Sequence, residues 1–255
     1  MWYSHTEGFA FASEKKVLEA LGYLDVRELN PRSILEYNIK SNRISFHERQ
    51  FFSITPIIKK SQEEIVGDVS KLFIAAIEKR IPEKQVGSLF SGGIDSTMIA
   101  AMCKKVGHNP VCYTTAVIEK GMSEPEDLIS AKDVAKKLGF TLKIVDISKK
   151  DIEKLIPIVV PLIEDTNVVK VEVAVTFYAA CEQAKKDGCK VIFSGLGSEE
   201  IFAGYQRHKN SQDINKECLS GLIKLYERDT YRDDVITMHH NLELRLPFLD
   251  KKLVA

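Results

Sequence analysis

Apolar positions along the chain change their spacing after residue 60. From residue 63 they recur at three- and four-residue intervals, which is the stripe of an amphipathic helix. The positions concerned are Ile65, Val69, Leu72, Phe73, Ala76 and Ile77. Pro82 stands just beyond them and favours the end of this helix.

Strands and helices are predicted to alternate after this first helix. The segments QVGSLF, VCYTTAVI, TLKIVDI and CKVIFSG predict strands, and the segments IDSTMIAAMCKKVG and EPEDLISAKDVAKKLG predict helices that end at Gly107 and Gly139. Further helix is expected up to residue 164, from about 170 to 187, and throughout the remainder after the last strand. This alternation predicts an α/β fold in which a parallel twisted sheet carries helices on both faces.

The first 60 residues differ in texture from the rest. FAFASEKKVLEALG predicts a short strand and a helix, and ILEYNIKSNRISFHERQFF predicts a hairpin whose turn is at Ser41 and Asn42. These elements are too few for an independent domain. We therefore expect a small N-terminal part over residues 1–60 and the α/β domain over residues 61–255.

Composition narrows the classes of partner. The chain has 255 residues, of which 44% are apolar, and 36 basic residues balance 36 acidic ones. A net charge of zero argues against nucleic acid as the main partner. The longest apolar run, IPIVVPLI at 156–163, contains two prolines and is too short to span a membrane. With no secretory signal at the N-terminus, the expectation is a cytoplasmic protein that binds neither membrane nor nucleic acid.

Two glycine-bearing turns, at 91–93 and 194–197, follow predicted strands. Ligands of parallel sheets bind at the carboxyl ends of the strands. In LFSGGIDST, Gly92 and Gly93 let the backbone approach an oxyanion, and the amides at the start of the next helix point toward it. A carboxylate beside phosphate is repulsive unless a divalent cation lies between them, so Asp95 indicates Mg²⁺.

Common nucleotide motifs do not describe this stretch. It lacks the spacing and the lysine of GxxxxGK[ST], and it lacks GxGxxG. Taken alone, Gly92 and Gly93 also fit an ordinary tight turn, with Asp95 and Ser96 as first-turn helix residues.

The segment SGGIDS after a strand resembles the signature loop of the ATP pyrophosphatases, which cleave ATP to AMP and pyrophosphate while adenylating a carboxylate or a carbonyl oxygen. FSGLGSEEIFAGYQRH at 193–208 and HNLELRLPFLD at 240–250 are similar to segments of the synthetase domain of asparagine synthetases. The first 60 residues resemble the last part of the glutaminase domain that precedes it. The resemblance implies an adenine nucleotide alpha hydrolase-like fold preceded by a short glutaminase-type remnant.

The resemblance also implies roles for individual residues. ATP and its departing pyrophosphate would be held by Ser91, Gly92, Gly93, Asp95, Ser96, Ser194 and Gly195, with Ala116 and Val117 as adenine contacts. Asp95 and Glu199 would be the ligands of Mg²⁺. Glu243, Arg245 and Asp250 are interpreted as a salt-bridged frame behind the site.

Three departures from the family pattern limit the catalytic assignment. Leu196 stands where asparagine synthetases carry a glutamate, so the catalytic residue is unknown. Residue 2 is Trp2 rather than the cysteine that glutamine hydrolysis needs, so no glutaminase activity is expected in this chain. The chain stops at Ala255, before the helix that carries a phosphate-binding lysine in that family. Together with RDD at 232–234, the apolar residue at 196 is closer to the asparagine synthetase-like proteins.

These features leave alternatives open. The favoured one is an AMP-forming ligase of amino-acid biosynthesis that uses ATP and Mg²⁺ to adenylate a carboxylate, aspartate or similar, and then forms an amide with ammonia or an amine. A homodimer or a separate chain would supply missing segments. The alternative is a nucleotide-binding but catalytically degenerate module acting in a complex. An RNA-modifying ATP pyrophosphatase is disfavoured by the neutral charge and the absence of paired cysteines.

Overall fold

The computed structural model describes residues 1–6, 8–49, 59–119, 121 and 123–255. Contacts between residues divide the chain into two units, Met1–Ile54 and Thr55–Ala255. The expected boundary after residue 60 lies six residues later than this division. That the first unit is the remnant of a glutaminase-type domain stays a prediction.

The described residues of the first unit form two small antiparallel sheets and one short helix. Strands β1 (Trp2–Ser4), β2 (Ala10–Ala12) and β3 (Arg27–Glu28) pair in the order β2-β1-β3, and helix α1 spans Lys15–Ala20. Strands β4 (Ser33–Asn38) and β5 (Arg43–Glu48) form the predicted hairpin. Its turn includes Asn42, whose φ of 51° is one that asparagine tolerates. The end of the predicted hairpin, at 50–52, lies outside the described residues.

The second unit is built on a five-stranded sheet. Its strands are β6 (Val86–Leu89), β7 (Val111–Val117), β8 (Thr141–Ile147), β9 (Val191–Phe193) and β10 (Glu243–Arg245), in the order β10-β9-β6-β7-β8. Every neighbouring pair is parallel, as predicted. The expectation of helix throughout the chain after β9 is wrong at β10. Glu243 to Arg245 form a strand that pairs with Val191 to Phe193 at the edge of the sheet. Three residues are too few to display the alternation that marks a strand.

Helices account for most of the remaining described residues of this unit. They are α2 (Gln62–Glu78), α3 (Ile94–Lys105), α4 (Glu126–Leu138), α5 (Lys149–Ile163), α6 (Val168–Lys186), α7 (Ser198–Phe202), α8 (Gln206–Lys209), α9 (Ile214–Leu225), α10 (Tyr231–His239) and α11 (Lys251–Val254). A π-helical turn, Tyr226–Thr230, joins α9 to α10, and a 3₁₀ turn, Pro247–Leu249, precedes α11. In the part of the chain that the structure describes, none of the helices has the length and apolar character needed to cross a bilayer.

Alternate residues of the strands face two different hydrophobic cores. Val191 and Phe193 pack with α2 and α3 on one side of the sheet, together with Phe248. Ile192 and Tyr113 pack on the other side, against α5, α6 and α10. The sheet is therefore covered on both faces, which confirms the predicted fold class.

The strand order creates a switch point beside β6. The chain passes from β6 to β7 and β8 on one side and then returns to place β9 on the other side. Because the chain continues from β6 to one side and later adds β9 on the other side, a crevice opens at the carboxyl ends of β6 and β9. Both glycine-bearing turns of the sequence lie at this crevice.

The turn after β6 is packed directly on helix α4. Gly92 has a φ of 76°, and a Cβ placed there would lie 2.6 Å from the backbone nitrogen of Ala131 and 2.6 Å from the carbonyl carbon of Ser130. Backbone atoms of a helix cannot yield to such a contact. Only glycine satisfies both the dihedral angle and the space.

His240 is a buried histidine at the end of α10. Its ring packs edge-on against Tyr178 at a centroid distance of 4.4 Å, and its Nε2 is buried without a hydrogen-bond partner in the described chain. Burial, assisted by the neighbouring His239, lowers the pKa of His240 to about 4. The folded protein therefore keeps this imidazole neutral.

We expect Gly92→Ala to lower the free energy of unfolding by about 2 kcal/mol or more, because the added methyl group meets the backbone of α4 at a positive φ. The matched control is Gly93→Ala, since Gly93 has a φ of −70° and its nearest atom to an added Cβ is the flexible Ser91 Oγ at 3.2 Å. Urea unfolding of both variants measures the difference. Equal destabilisation by the two substitutions would contradict the packing argument.

Protonation of His240 is expected to destabilise the protein in mild acid. The unfolded chain takes up this proton near the usual pKa of 6.5 and the folded chain only near pH 4, so stability is complete above pH 6.5 and falls between 6.5 and 4. Between pH 7.5 and pH 4.5, the free energy of unfolding of His240→Phe should fall by about 2 to 3 kcal/mol less than that of wild type. The exposed His108 supplies the control His108→Phe, which should follow wild type. Urea unfolding at the two pH values tests this, and identical losses in all three proteins would refute it.

Candidate functional site

A cavity of about 490 Å³ opens at the carboxyl ends of β6, β7 and β9. Its wall combines residues of both glycine turns with residues of α4, α6, α7 and α10. The members that bear on its chemistry are Ser91, Asp95, Ser96, Thr114, Thr115, Asp127, Thr176, Phe177, Ser194, Gly195, Leu196, Glu199, Arg232 and Asp233. Both turns that the sequence singles out therefore border one cavity.

The turn after β6 presents hydrogen-bond donors. Ser96 Oγ donates to Gly93 O at 3.3 Å and accepts from Ser91 N at 3.3 Å, which fixes the turn against the start of α3. Gly93 is the N-cap of α3 and offers no side chain to its first amides. In the described part of the chain, the amides of Ile94 and Asp95 have no protein acceptor. The positive end of α3 is thus open to an anion.

The turn after β9 approaches the first turn very closely. A Cβ on Gly195 would lie 3.1 Å from Asp95 Cβ and 3.6 Å from Ser96 N. Ser194 Oγ accepts a hydrogen bond from Leu196 N at 3.3 Å, and Ser194 N donates to Arg245 O at 3.2 Å. The second turn is therefore held between β10 and the start of α3.

Two buried hydroxyls mark the first turns of the helices at this crevice. Thr97 Oγ1 on α3 and Ser198 Oγ on α7 have no hydrogen-bond partner among the described residues. Unpaired buried hydroxyls are uncommon because each one loses its bonds to water. Both residues follow the glycine turns in the sequence, and neither is among the residues that line the cavity.

Asp95 and Glu199 form a pair of carboxylates across the crevice. Burial raises the pKa of Glu199, a hydrogen bond with Tyr205 lowers it, and the nearby charge of Asp95 raises it. A cation between the two carboxylates would relieve this repulsion. No cluster of three or more histidine, cysteine or acidic side chains forms a metal site among the described residues. The pair nevertheless fits Mg²⁺, which takes one or two carboxylates and completes its shell with phosphate oxygens and water.

The expected adenine contacts lie farther along β7 than the cavity reaches. Tyr113, Thr114 and Thr115 line the cavity, whereas Ala116 and Val117 pair with Asp146 and Ile147 of β8. Ala116 is buried in the sheet and Val117 packs against the core on the α6 side. Contact of these two residues with adenine stays a prediction.

An ion-paired group on the far wall was missed by sequence reasoning. Arg232 donates from Nε to Asp233 Oδ1 at 2.7 Å and from Nη1 to Asp229 Oδ1 at 2.9 Å. Burial raises the pKa of Asp233 to about 6, Arg232 lowers it, and Asp229 raises it. The only signal in the sequence was the run RDD at 232–234, which shows charge but not which residue faces the cavity. The π-helical turn before α10 sets that direction, and such turns recur at functional sites.

Glu243, Arg245 and Asp250, which the sequence suggested as one salt-bridged frame, form ion pairs in two separate groups. Asp250 Oδ2 accepts from Lys79 Nζ at 2.5 Å and from Arg80 Nη1 at 2.8 Å. Burial acts to raise the pKa of Asp250, but the bonds from Lys79 and Arg80 outweigh it and hold the pKa at about 2. Arg245 donates to the carbonyl of Arg80 and lies 3.4 Å from Glu243 Oε1. The end of α2 is thereby fastened to β10 and to the start of α11.

The chain is similar in sequence to known proteins over most of its length. The family model Asparagine synthase matches residues 68–218 and 208–255. A protein of Methanocaldococcus jannaschii assigned as a glutamine-hydrolysing asparagine synthetase is 32% identical over 96% of this chain and 48% of its own length. The glutamine-hydrolysing asparagine synthetase of Rattus norvegicus is 32% identical over 74% of this chain and 35% of its own length. The chain thus spans half or less of the length of these relatives.

Two solved structures match part of the chain at low sequence identity. The U34-tRNA thiolase NcsA from Methanococcus maripaludis is 14% identical, with 74% of this chain and 62% of that chain covered and a TM-score of 0.41. NMN synthetase from Francisella tularensis is 15% identical, with 58% and 60% covered and a TM-score of 0.39. The sequence match over most of residues 68–255 carries the assignment: this chain belongs to the asparagine synthase family.

Proposed function

We propose that this chain activates a carboxylate with ATP, releasing pyrophosphate, and then forms an amide from the acyl-adenylate. The observation that carries the proposal is the meeting of two glycine turns at the switch point of a parallel sheet, with open amides beneath a pair of carboxylates. Membership of the asparagine synthase family supports ATP-dependent amide synthesis in general. The adenylation step and the individual residue roles are part of the proposal.

The turn after β6 would hold the departing pyrophosphate. Ser91 and Ser96 line one side of the cavity, and the open amides at the start of α3 add the positive end of its dipole. Gly92 and Gly93 would shape this turn so that it can enclose the pyrophosphate. Ser194 and Gly195, on the opposite turn, would contact the nucleotide. Negative charge that develops on the leaving pyrophosphate is stabilised by donors already fixed in place, so little reorganisation accompanies the reaction.

Asp95 and Glu199 would hold Mg²⁺. When bound, this ion neutralises the phosphates as pyrophosphate departs. Burial raises the pKa of Glu199, and the hydrogen bond with Tyr205 partly offsets that rise in favour of the charged form that a metal ligand needs. The family resemblance implies an aspartate at the position that Glu199 occupies. Glutamate there still provides a carboxylate oxygen as a metal ligand.

The acid we propose is aspartate or a similar small carboxylic acid, and the acceptor is ammonia or an amine. Glutamine hydrolysis is named for the relatives and is not proposed for this chain. Cytoplasmic location and a homodimer stay predictions from the sequence.

Leu196 favours a second candidate function. It lines the cavity where an ionisable side chain would be expected to serve the amide-forming step, and leucine cannot accept a proton. A module that binds nucleotide without turning it over would be compatible with this residue. Such a protein would be stabilised thermally by ATP and Mg²⁺ yet form no pyrophosphate.

We expect Asp95→Asn to abolish the ATP–pyrophosphate exchange that the wild-type chain carries out with L-aspartate and MgCl₂. Loss of one charge from the carboxylate pair removes a Mg²⁺ ligand, and the exchange rate should fall by about 10²-fold or more. The measurement is incorporation of labelled pyrophosphate into ATP.

The matched control for this substitution is Asp133→Asn. Asp133 is an exposed carboxylate of α4 that pairs with Lys137 at 2.6 Å, outside the cavity lining. It should exchange as wild type does. Full exchange in Asp95→Asn would contradict the proposed metal site, and thermal stabilisation by ATP without any exchange in wild type would favour the second candidate function.

A further inference from the structure

The cavity has a wall that the proposed nucleotide contacts do not use. It consists of Arg232 and Asp233 on α10 and of Thr176, Phe177 and Ala180 on α6. Arg232 is 8% exposed and Asp233 is 3% exposed, so both charges are largely removed from solvent. A buried carboxylate that borders a cavity is a candidate for a catalytic or ligand-binding role.

The guanidinium of Arg232 fixes the orientation of the Asp233 carboxylate. Both Nε and Nη2 of Arg232 lie 2.7 Å from Oδ1 of Asp233, and Nη1 is engaged by Asp229. No hydrogen bond in the described part of the chain involves Oδ2 of Asp233. One oxygen therefore anchors the side chain, and the other is left to accept a hydrogen bond from a ligand in the cavity.

Amide formation from an acyl-adenylate needs a proton acceptor. An attacking amine gains positive charge on nitrogen as the new bond forms, and a positioned base removes a proton from it. Leu196 cannot do this. Asp95 and Glu199 are committed to the metal in the proposed function. Of the other two carboxylates that line the cavity, Asp127 is exposed to solvent on α4, whereas Asp233 is buried and has an available oxygen.

We propose that Asp233 is the catalytic base of the amide-forming step, oriented by Arg232 as its positioning residue. The lone pair of the amine forms the N–C bond at the acyl carbon, and the bond from that carbon to the AMP oxygen breaks, with its electron pair leaving on AMP. One N–H proton passes to Oδ2 of Asp233. This inference rests on the proposed function, because it needs the acyl-adenylate that adenylation supplies.

The surroundings of Asp233 suit this role. Burial raises its pKa to about 6, and Arg232 and Asp229 act on it in opposite directions. From α6 it faces the Cys181 thiol, whose pKa is raised by burial, so that thiol carries no charge at neutral pH. The ion pair with Arg232 favours the charged form that a base needs, and burial raises the pKa toward neutral pH, which suits proton transfer.

The test separates adenylation from transfer in Asp233→Asn. ATP–pyrophosphate exchange with L-aspartate reports the first step, and amide formation from ammonium chloride reports both. Exchange should stay at the wild-type level while transfer to ammonia falls by about 10²-fold or more. Exchange also shows that the variant is folded. The control is Asp234→Asn, since Asp234 is exposed and is not part of the cavity lining.

Hydroxylamine provides a readout that loss of structure would not mimic. It is a weaker base than ammonia, and its adduct loses a proton to water more readily, so it depends less on a protein base. Hydroxamate formation by Asp233→Asn should therefore fall far less than transfer to ammonia. Unaltered transfer to ammonia in a variant that still exchanges overturns the inference alone. An equal loss with both nucleophiles also overturns it. Absence of exchange in wild type overturns the proposed function and this inference with it.

Discussion

The close approach of the turns after β6 and β9 is the constraint on which the site depends. A Cβ on Gly195 would lie 3.1 Å from Asp95 Cβ, and a Cβ on Gly92 would enter the backbone of α4. With glycine at both positions, the two turns pack within contact distance, and the start of α3 lines the same cavity as Glu199. A parallel sheet supplies the neighbouring strand ends, and the glycines let them converge on one small ligand.

The cavity is acidic although the chain as a whole has a net charge of zero. Asp95, Asp127, Glu199 and Asp233 line it, and Arg232 is the cationic residue among the lining residues that the structure describes. Such an excess of carboxylates favours positive charge, and the proposed reaction supplies it in two forms, a divalent metal and the charge that develops on the attacking amine. Net charge alone cannot reveal this, because compensating lysines and arginines lie elsewhere on the molecule.

Sequence reasoning reached the fold and the turn after β6 because both are local patterns. The stripe from Ile65 to Ile77 lies within α2, and the glycines at 92 and 93 mark the start of α3. Strand β10 escaped prediction because Glu243 to Arg245 are recognisable only by their pairing with β9. Arg232 and Asp233 escaped as site residues because their direction depends on the π-helical turn before α10, a feature of backbone geometry that carries no residue pattern of its own.

The segment that closes the described chain reaches the site through a single aliphatic side chain. Leu249 occupies the space beside Gly197, Phe248 stacks on Phe73 of α2 at 4.5 Å, and Asp250 is bonded to Lys79 and Arg80. The buried face of α2 and its C-terminal end are in this way packed against the segment that contacts the turn at Gly197. A destabilising substitution in α2 can therefore lower activity without changing any residue that contacts the substrate. Loss of activity in such a variant would indicate that the turn at Gly197 has moved, and not that a catalytic residue is missing.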